Sequence, residues 1–336
     1  MELYQMIYRR LRDDETLSDL TAKYNGGAAV FYQRPASADS AKWESEIQYP
    51  RIDYTLDLME NPARNTSGVL TVNVWCDTQV GAEPEDIEAR VRELLHASFA
   101  QADDYAYCFA WVRSDAFEIK NQQEETVRTI GVTILFDVVA CPCQYTMYPD
   151  PIKGLNAWTK KILPNAVIIG EDTIDGWLTP TKEKPAIYWR LTAQGKARQH
   201  FAYTWLDIAV ECHVYCRNAA DRLFNLVQIN TAHALTGHIP LEDTSPLFLK
   251  TFQMQPHLSY ITTGQIRATG YFGILQPESH FANKWTGGVL NNAFNAAVPR
   301  EVYDGEATVE VSGDGSQGYN YPYPTADEED KAGQQP

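Results

Sequence analysis

The sequence predicts an α+β fold: two tandem copies of a small domain, each a mainly antiparallel sheet packed against helices, followed by a C-terminal extension. Three observations predict it. Apolar and polar residues alternate over several long runs, which is the period of a half-buried strand. Between those runs apolar residues recur every three or four positions, which is the period of a helix. The same order of segments then appears a second time along the 336-residue chain.

The first segment is a helix, with Leu3, Ile7 and Leu11 on one face and Met6 beside them, until Asp13 and Asp14 break the pattern. Leu17 and Leu20 mark one further turn. Lys23 to Gly27 is a turn cluster, with Asn25-Gly26-Gly27 at its centre, and Ala28–Tyr32 is a short apolar strand. Tyr49-Pro50 opens a second strand, Arg51–Leu56. In Gly68–Cys76, Leu70, Val72, Val74 and Cys76 fall on one face and Thr71, Asn73 and Trp75 on the other. A helix starts at Pro84, because proline suits a first helical position and Glu85 and Asp86 suit the positive end of the dipole. Its apolar face is Ile87, Val91, Leu94, Leu95 and Phe99. Two strands close the unit, one carrying Tyr105, Tyr107, Phe109 and Trp111, the other Ile130, Val132, Ile134, Phe136 and Val138.

The second half follows the same plan. Ala166–Ile169 stands where Ala28–Phe31 stood, and Pro185–Leu191 matches Pro50–Leu56. The run from Leu206 to Cys216 alternates and ends in Val214-Tyr215-Cys216, against Val74-Trp75-Cys76. A helix follows, with Asn218 as N-cap, Asp221 three residues on and Gly237 at the C-terminal stop. Its apolar face reads Ala220, Leu223, Val227, Thr231 and Ala234, with Leu226 alongside. Strands near Leu247–Phe252 and Gln265–Ile274 close the unit. The expected domains are therefore 1–143 and 166–276, joined by a proline-containing linker at 144–165 in which Leu155–Ile162 forms a short helix replacing the N-terminal one. Residues 277–336 carry three basic and ten acidic residues, a net charge of −7. They hold one short strand at Val309–Val311, an aromatic and proline-rich stretch Tyr319–Pro324 and the acidic run Asp327–Asp330, and are expected to be an acidic, partly flexible arm.

Composition excludes several function classes. The net charge of −16 disfavours a protein that grips nucleic-acid phosphates, although it suits a wall past which DNA slides without sticking. The N-terminus is charged from residue 2, unlike a signal peptide, and no run of about 18 apolar residues would span a membrane. The six cysteines, 76, 108, 141, 143, 212 and 216, are then free thiols of a reducing compartment. Nineteen tyrosines and eight tryptophans fit either extended interfaces or a β-rich core.

No constellation of chemistry-bearing residues emerges. Cys212 and Cys216 would share a strand face, roughly 13 Å apart along it, with His213 on the other face. That spacing cannot hold one zinc ion, and buried core cysteines are the better reading. Cys141-Pro142-Cys143 is one residue too short for a zinc knuckle or a redox pair. His233 and His238 lack the spacing of a metal-binding helix. Glu85, Asp86 and Glu88 are helix-end charges. No Walker loop, dinucleotide fingerprint or nucleophile elbow is present. No catalytic, cofactor-binding or metal residue is assigned, and an enzyme is not expected.

Met1, Ile7, Tyr8 and Leu11, then Tyr49-Pro50, then Val74-Trp75 with Asp77-Thr78 leading straight into a helix, form an ordered pattern. It resembles the tail-terminator and tail-completion (neck) proteins of long-tailed phages over most of residues 1–143 and, more faintly, 166–276. Asp77-Thr78 gives way to Arg217-Asn218 in the second half. The resemblance implies a virion protein assembled in the host cytoplasm. It implies a homo-oligomeric ring, six-fold or pseudo-six-fold, that stops tail-tube growth and meets the tube protein on one side and the head connector on the other. DNA would pass through without specific binding. Members are usually a single domain, so a doubled chain could build a ring from three copies or from six, of which six is preferred. The alternative reading is a non-virion assembly factor or protein-binding module.

Overall fold

The computed structural model describes residues 2–275 apart from 45, 80–82, 103, 121–126, 146 and 201–202. The strand expected at Val309–Val311 and the remainder of the arm lie outside the described residues. Helix α1 (Leu3–Arg12) buries Leu3, Met6, Ile7 and Leu11, the face its spacing predicts. Asp14 caps α2 (Glu15–Leu20) by accepting the Leu17 amide at 2.9 Å. The same carboxylate takes both ends of the Arg90 guanidinium, at 3.0 and 2.6 Å, tying the N-terminus to the helix that crosses the first sheet. Burial alone would raise the Asp14 carboxyl, but these hydrogen bonds outweigh it and hold it below the usual carboxylate range.

Strands β1 (Lys23–Tyr24) and β2 (Gly27–Ala28) form a two-residue hairpin, and Asn25 and Gly26 both take the left-handed backbone such a turn requires. Strand β3 (Val30–Tyr32) runs parallel to β4 (Arg51–Asn61), which pairs antiparallel with β5 (Asn65–Asp77). Helix α3 (Pro84–Leu95) crosses the sheet and buries Ile87, Val91, Leu94 and Leu95. Phe99 does not extend that face as expected. Ala97 turns the chain through a positive φ of 53°, and Phe99 lies in a further strand, β6 (Ser98–Ala102). Strands β7 (Tyr105–Lys120) and β8 (Val127–Pro142) complete a sheet in which β8 pairs with β5.

The stretch expected as a linker carries helix α4 (Pro151–Ile162), longer than the short helix foreseen. Asp150 caps it, accepting from the Ile152 and Lys153 amides. Ile152, Leu155 and Trp158 enter the core of the second sheet. Strand β9 (Val167–Ile168) runs parallel to β11 (Ala186–Gln199), which pairs antiparallel with β12 (Tyr203–Tyr215). Helix α5 (Ala219–Ala234) follows, then β13 (Ile239–Pro240), β14 (Pro246–Met254) and β15 (Ile266–Leu275), the last pairing with β12.

Apart from the added edge strand β10 (Trp177–Leu178), the sheets share one order: β6-β7-β8-β5-β4-β3 in the first and β13-β14-β15-β12-β11-β9 in the second. Their registers agree over the first rungs, before bulges at Leu191/Ala193 and Lys196/Arg198 shift β11 against β12. Ile52 opposes Val74 and Leu56 opposes Leu70; Ile187 opposes Val214 and Leu191 opposes Val210. The proline-strand openings and Val-aromatic-Cys endings therefore meet at the same rung in both hairpins.

Each sheet has its own apolar core under its helices, and a third core lies between the sheets. Phe99, Ala106, Cys108, Val139 and Cys141 of the first sheet pack there against Val167, Ile169, Ala186, Tyr188 and Tyr215 of the second. Phe99 meets Tyr215 edge to face at 4.8 Å. Strand β10, from the loop between β9 and β11, pairs with β6 and so extends the first sheet with second-half residues. Phe99→Ala empties part of this shared core and is expected to cost about 3–5 kcal/mol. Because both sheets line that core, urea unfolding of the variant followed by tryptophan fluorescence and by far-ultraviolet circular dichroism should remain one coincident transition at a lower midpoint.

Candidate assembly surfaces

The described residues contain no group of three or more histidine, cysteine, aspartate or glutamate side chains placed to hold a metal ion. Cys212 and Cys216 are fully buried, as their alternation predicts, while Cys141 is buried and Cys143 exposed. Burial pushes the Cys76 thiol up to about 12 and the Cys216 thiol up to about 11, which suits packing and not nucleophilic work. His233 stacks on Phe252 at 4.0 Å, and His238 sits 6.1 Å from Phe248. Glu85 and Asp86 occupy the first turn of α3, and Glu88 accepts from the Ser114 hydroxyl at 2.5 Å.

His213 takes a role that its position in the sequence does not reveal. The β4–β5 hairpin carries Arg64 at its tip, and Arg64 is buried against the second sheet. Its guanidinium donates to the Ile261 carbonyl at 2.6 Å, to His213 Nε2 at 3.3 Å and to Cys141 Sγ at 3.4 Å, and it lies over the Tyr188 ring. His213 Nδ1 lies 2.8 Å from the Tyr260 carbonyl. A carbonyl only accepts and a guanidinium only donates, so Nδ1 carries the proton, Nε2 accepts, and the ring is neutral. Burial first, and the charge of Arg64 second, push His213 down to about 3. The group of side chains locks the two sheets together.

The surfaces are more informative. Helices α3 and α5 occupy equivalent places on the two sheets, yet they differ on the outside. The exposed positions of α3 include Glu85, Asp86 and Glu93. The apolar stripe expected to face the core of α5 points outward instead: Ala220, Leu223, Val227, Thr231 and Ala234 are exposed, with Phe224 beside them, and Asn225, Leu226 and Ile229 form the buried face. Asn225 decides the rotation. Its two amide hydrogens are shared among the Lys182 carbonyl, Cys216 Sγ and the helix's own Asp221 carbonyl, and the first two, outside the helix, anchor that face inward. Gly237 lies past the helix end with ordinary φ, and the Thr236 hydroxyl covers the Ala232 carbonyl. Leu223, Phe224 and Val227 are each 45% exposed, a contiguous apolar strip of the kind that marks an interaction surface.

Arg217, standing where the first half has Asp77, pairs with Glu93 of α3 at 3.2 Å, so the second half departs from the pattern at a contact between halves. Asp77 itself accepts the Gln79 amide and shapes the turn into α3. The distal part of β7, from Arg113 onward, pairs with β8 alone and forms a sheet edge bearing Arg113, Asp115 and Glu118, charges that discourage unplanned strand addition.

No protein family matches the sequence, and no curated protein matches it. Among solved structures, one chain of a particle described as "Virion of native gene transfer agent (GTA) particle" is similar over 41% of this chain and 93% of its own, at 15% identity and a TM-score of 0.31.

The neutral state of His213 sets a pH dependence. Its folded value, about 3, lies below the unfolded value near 6.5. Between those values the unfolded chain binds the proton and the folded chain does not, so stability is lost as pH falls from about 6.5 toward 3. The groups around the ring are Arg64, Arg190, Cys141, Tyr188, Tyr215 and Tyr260. Of these, only the arginines are charged in this range. In denaturant titrations between pH 7 and 5, His213→Gln should reduce the slope of stability against pH by up to about 1.4 kcal/mol per pH unit.

Proposed function

We propose that this chain is a non-enzymatic structural protein of a phage or phage-tail-like virion. It forms a ring at the head-proximal end of a tail tube, stopping tube growth and joining it to the head connector. The observation that carries the reading is the outward apolar face of α5. A helix on one sheet presents leucine, phenylalanine and valine to solvent where its counterpart on the other sheet presents carboxylates, and such a face is stabilised by another protein surface. The ordered sequence pattern supports the position in the virion. Ile7 and Leu11 are core residues of α1, and Val74-Trp75 lies near the end of β5, two residues before Asp77, which shapes the turn into α3.

Common strand order and common register support a tandem duplication, with units at 1–143 and 166–276 and with α4 joined to the second. A net negative ring would let DNA pass without binding it. We place six chains in the ring, with the first unit at the tube and the second, more diverged unit outside it. The sequence resemblance and the α5 face favour this over an assembly factor that never enters the particle.

Mass photometry and negative-stain images of the purified chain at micromolar concentration test the reading. The expected result is a closed ring, with Leu223→Asp/Val227→Asp shifting it to monomers of unchanged circular dichroism, since both positions are solvent-facing. A strict monomer that is also absent from purified particles would overturn it.

A further inference from the structure

The face of the second sheet opposite its helices is divided in two. One end, with Tyr188, His213 and Tyr215, is covered by the first sheet. The other end carries a rank of rings across three strands. His200 stacks on Tyr203 at 4.7 Å, Tyr203 meets Trp205 edge to face at 5.5 Å, Trp205 meets Tyr271 at 5.4 Å, and Tyr271 stacks on Phe248 at 5.2 Å. Trp205, Tyr271 and Phe248 line a groove of about 630 Å³ with Arg198, Asp207 and Lys250. Lys250 lies 4.9 Å above the Tyr271 ring and pairs with Asp207 at 2.7 Å. The groove is therefore aromatic along its floor, with two cations and one carboxylate at its rim.

We propose that this groove binds the chain's own segment Tyr319–Pro324, with the acidic run Asp327–Asp330 against Lys250 and Arg198. Three features point to this occupant. The first is chemistry: Tyr319-Asn-Tyr-Pro-Tyr-Pro324 alternates tyrosine with proline, and proline-rich segments dock in aromatic-lined grooves at low ordering cost because proline has already restricted the backbone. The second is charge: in a chain of net charge −16, four consecutive acidic residues follow the aromatic stretch, and the groove sets the exposed cations Arg198 and Lys250 against the one carboxylate of Asp207. The third is position: β15 ends at Leu275, which opposes Tyr203, so the chain leaves the sheet beside the rank of rings. The 43 residues from 276 to 318 can extend on the order of 140 Å, far more than the span of the sheet.

The test uses the full chain. A photo-crosslinking phenylalanine analogue placed at Tyr321 should crosslink within the same chain to β12, β14 or β15, with a yield independent of protein concentration. Chymotrypsin should cleave after Tyr319 slowly in the wild-type chain and about tenfold faster in Tyr271→Ser/Lys250→Glu, whose thermal melt is measured alongside. Tyr321→Ser/Tyr323→Ser, which leaves the sheet untouched, should give the same acceleration, so the test survives a groove variant that fails to fold. Crosslinks elsewhere in the chain, crosslinks only between chains, or cleavage after Tyr319 that neither variant accelerates would each overturn the proposal. The ring reading is untouched by any of these outcomes, because it is measured by oligomeric state.

Discussion

The apolar seam between the two sheets is the constraint on which the rest of the architecture depends. Two small sheets with helices on one side each leave an outer face that water would have to cover. Burying the outer face of one against part of the other removes both from solvent along the seam. Aromatic and aliphatic side chains fill it, with Phe99 and Tyr215 in edge contact at its centre. The consequence reaches beyond packing. Once the seam forms, the loop after β9 supplies a strand to the first sheet, Arg217 reaches α3, and the helices are held in one relative orientation.

Arg64 makes the seam specific as well as apolar. A guanidinium stays charged wherever it is placed, so burying it is costly unless its donors are satisfied. Here a backbone carbonyl, an imidazole nitrogen and a sulfur accept from it, and an aromatic face lies below it. That arrangement works only while His213 is neutral, and the low value of the buried imidazole keeps it so. A slipped hairpin or a shifted seam would leave a buried charge without acceptors. The group therefore sets the register between halves in a way that apolar contacts, which tolerate sliding, do not.

Helix α5 illustrates how an amphipathic pattern can be read with the wrong side inward. Its sequence offers two stripes about 130° apart, one of Leu223, Val227 and Thr231, the other of Leu226 and Ile229. Hydrophobicity favours the first. The fold buries the second, where the Asn225 amide reaches two acceptors outside the helix, the Lys182 carbonyl and Cys216 Sγ just past β12. Polar satisfaction at one residue outweighs the larger apolar count, and the displaced stripe becomes an exposed apolar surface.

Much of the fold was legible in the sequence, because strand and helix periods are local properties. The alternation in Gly68–Cys76 and Leu206–Cys216, the cap at Asn218, the first-turn proline Pro84 and the repeated order of segments all follow from short-range spacing and backbone chemistry. They determined an α+β chain with two similar halves and excluded a site built from Cys212, His213 and Cys216. The tertiary structure alone decided three things. It turned the supposed linker into a core helix, because Leu155 and Trp158 find an apolar sheet to cover. It rotated α5, because the Asn225 amide meets the Lys182 carbonyl, an acceptor 43 residues away that no local pattern announces. It joined the halves through Arg64 and Phe99, because neither residue carries any local sign that its partner lies more than a hundred residues away.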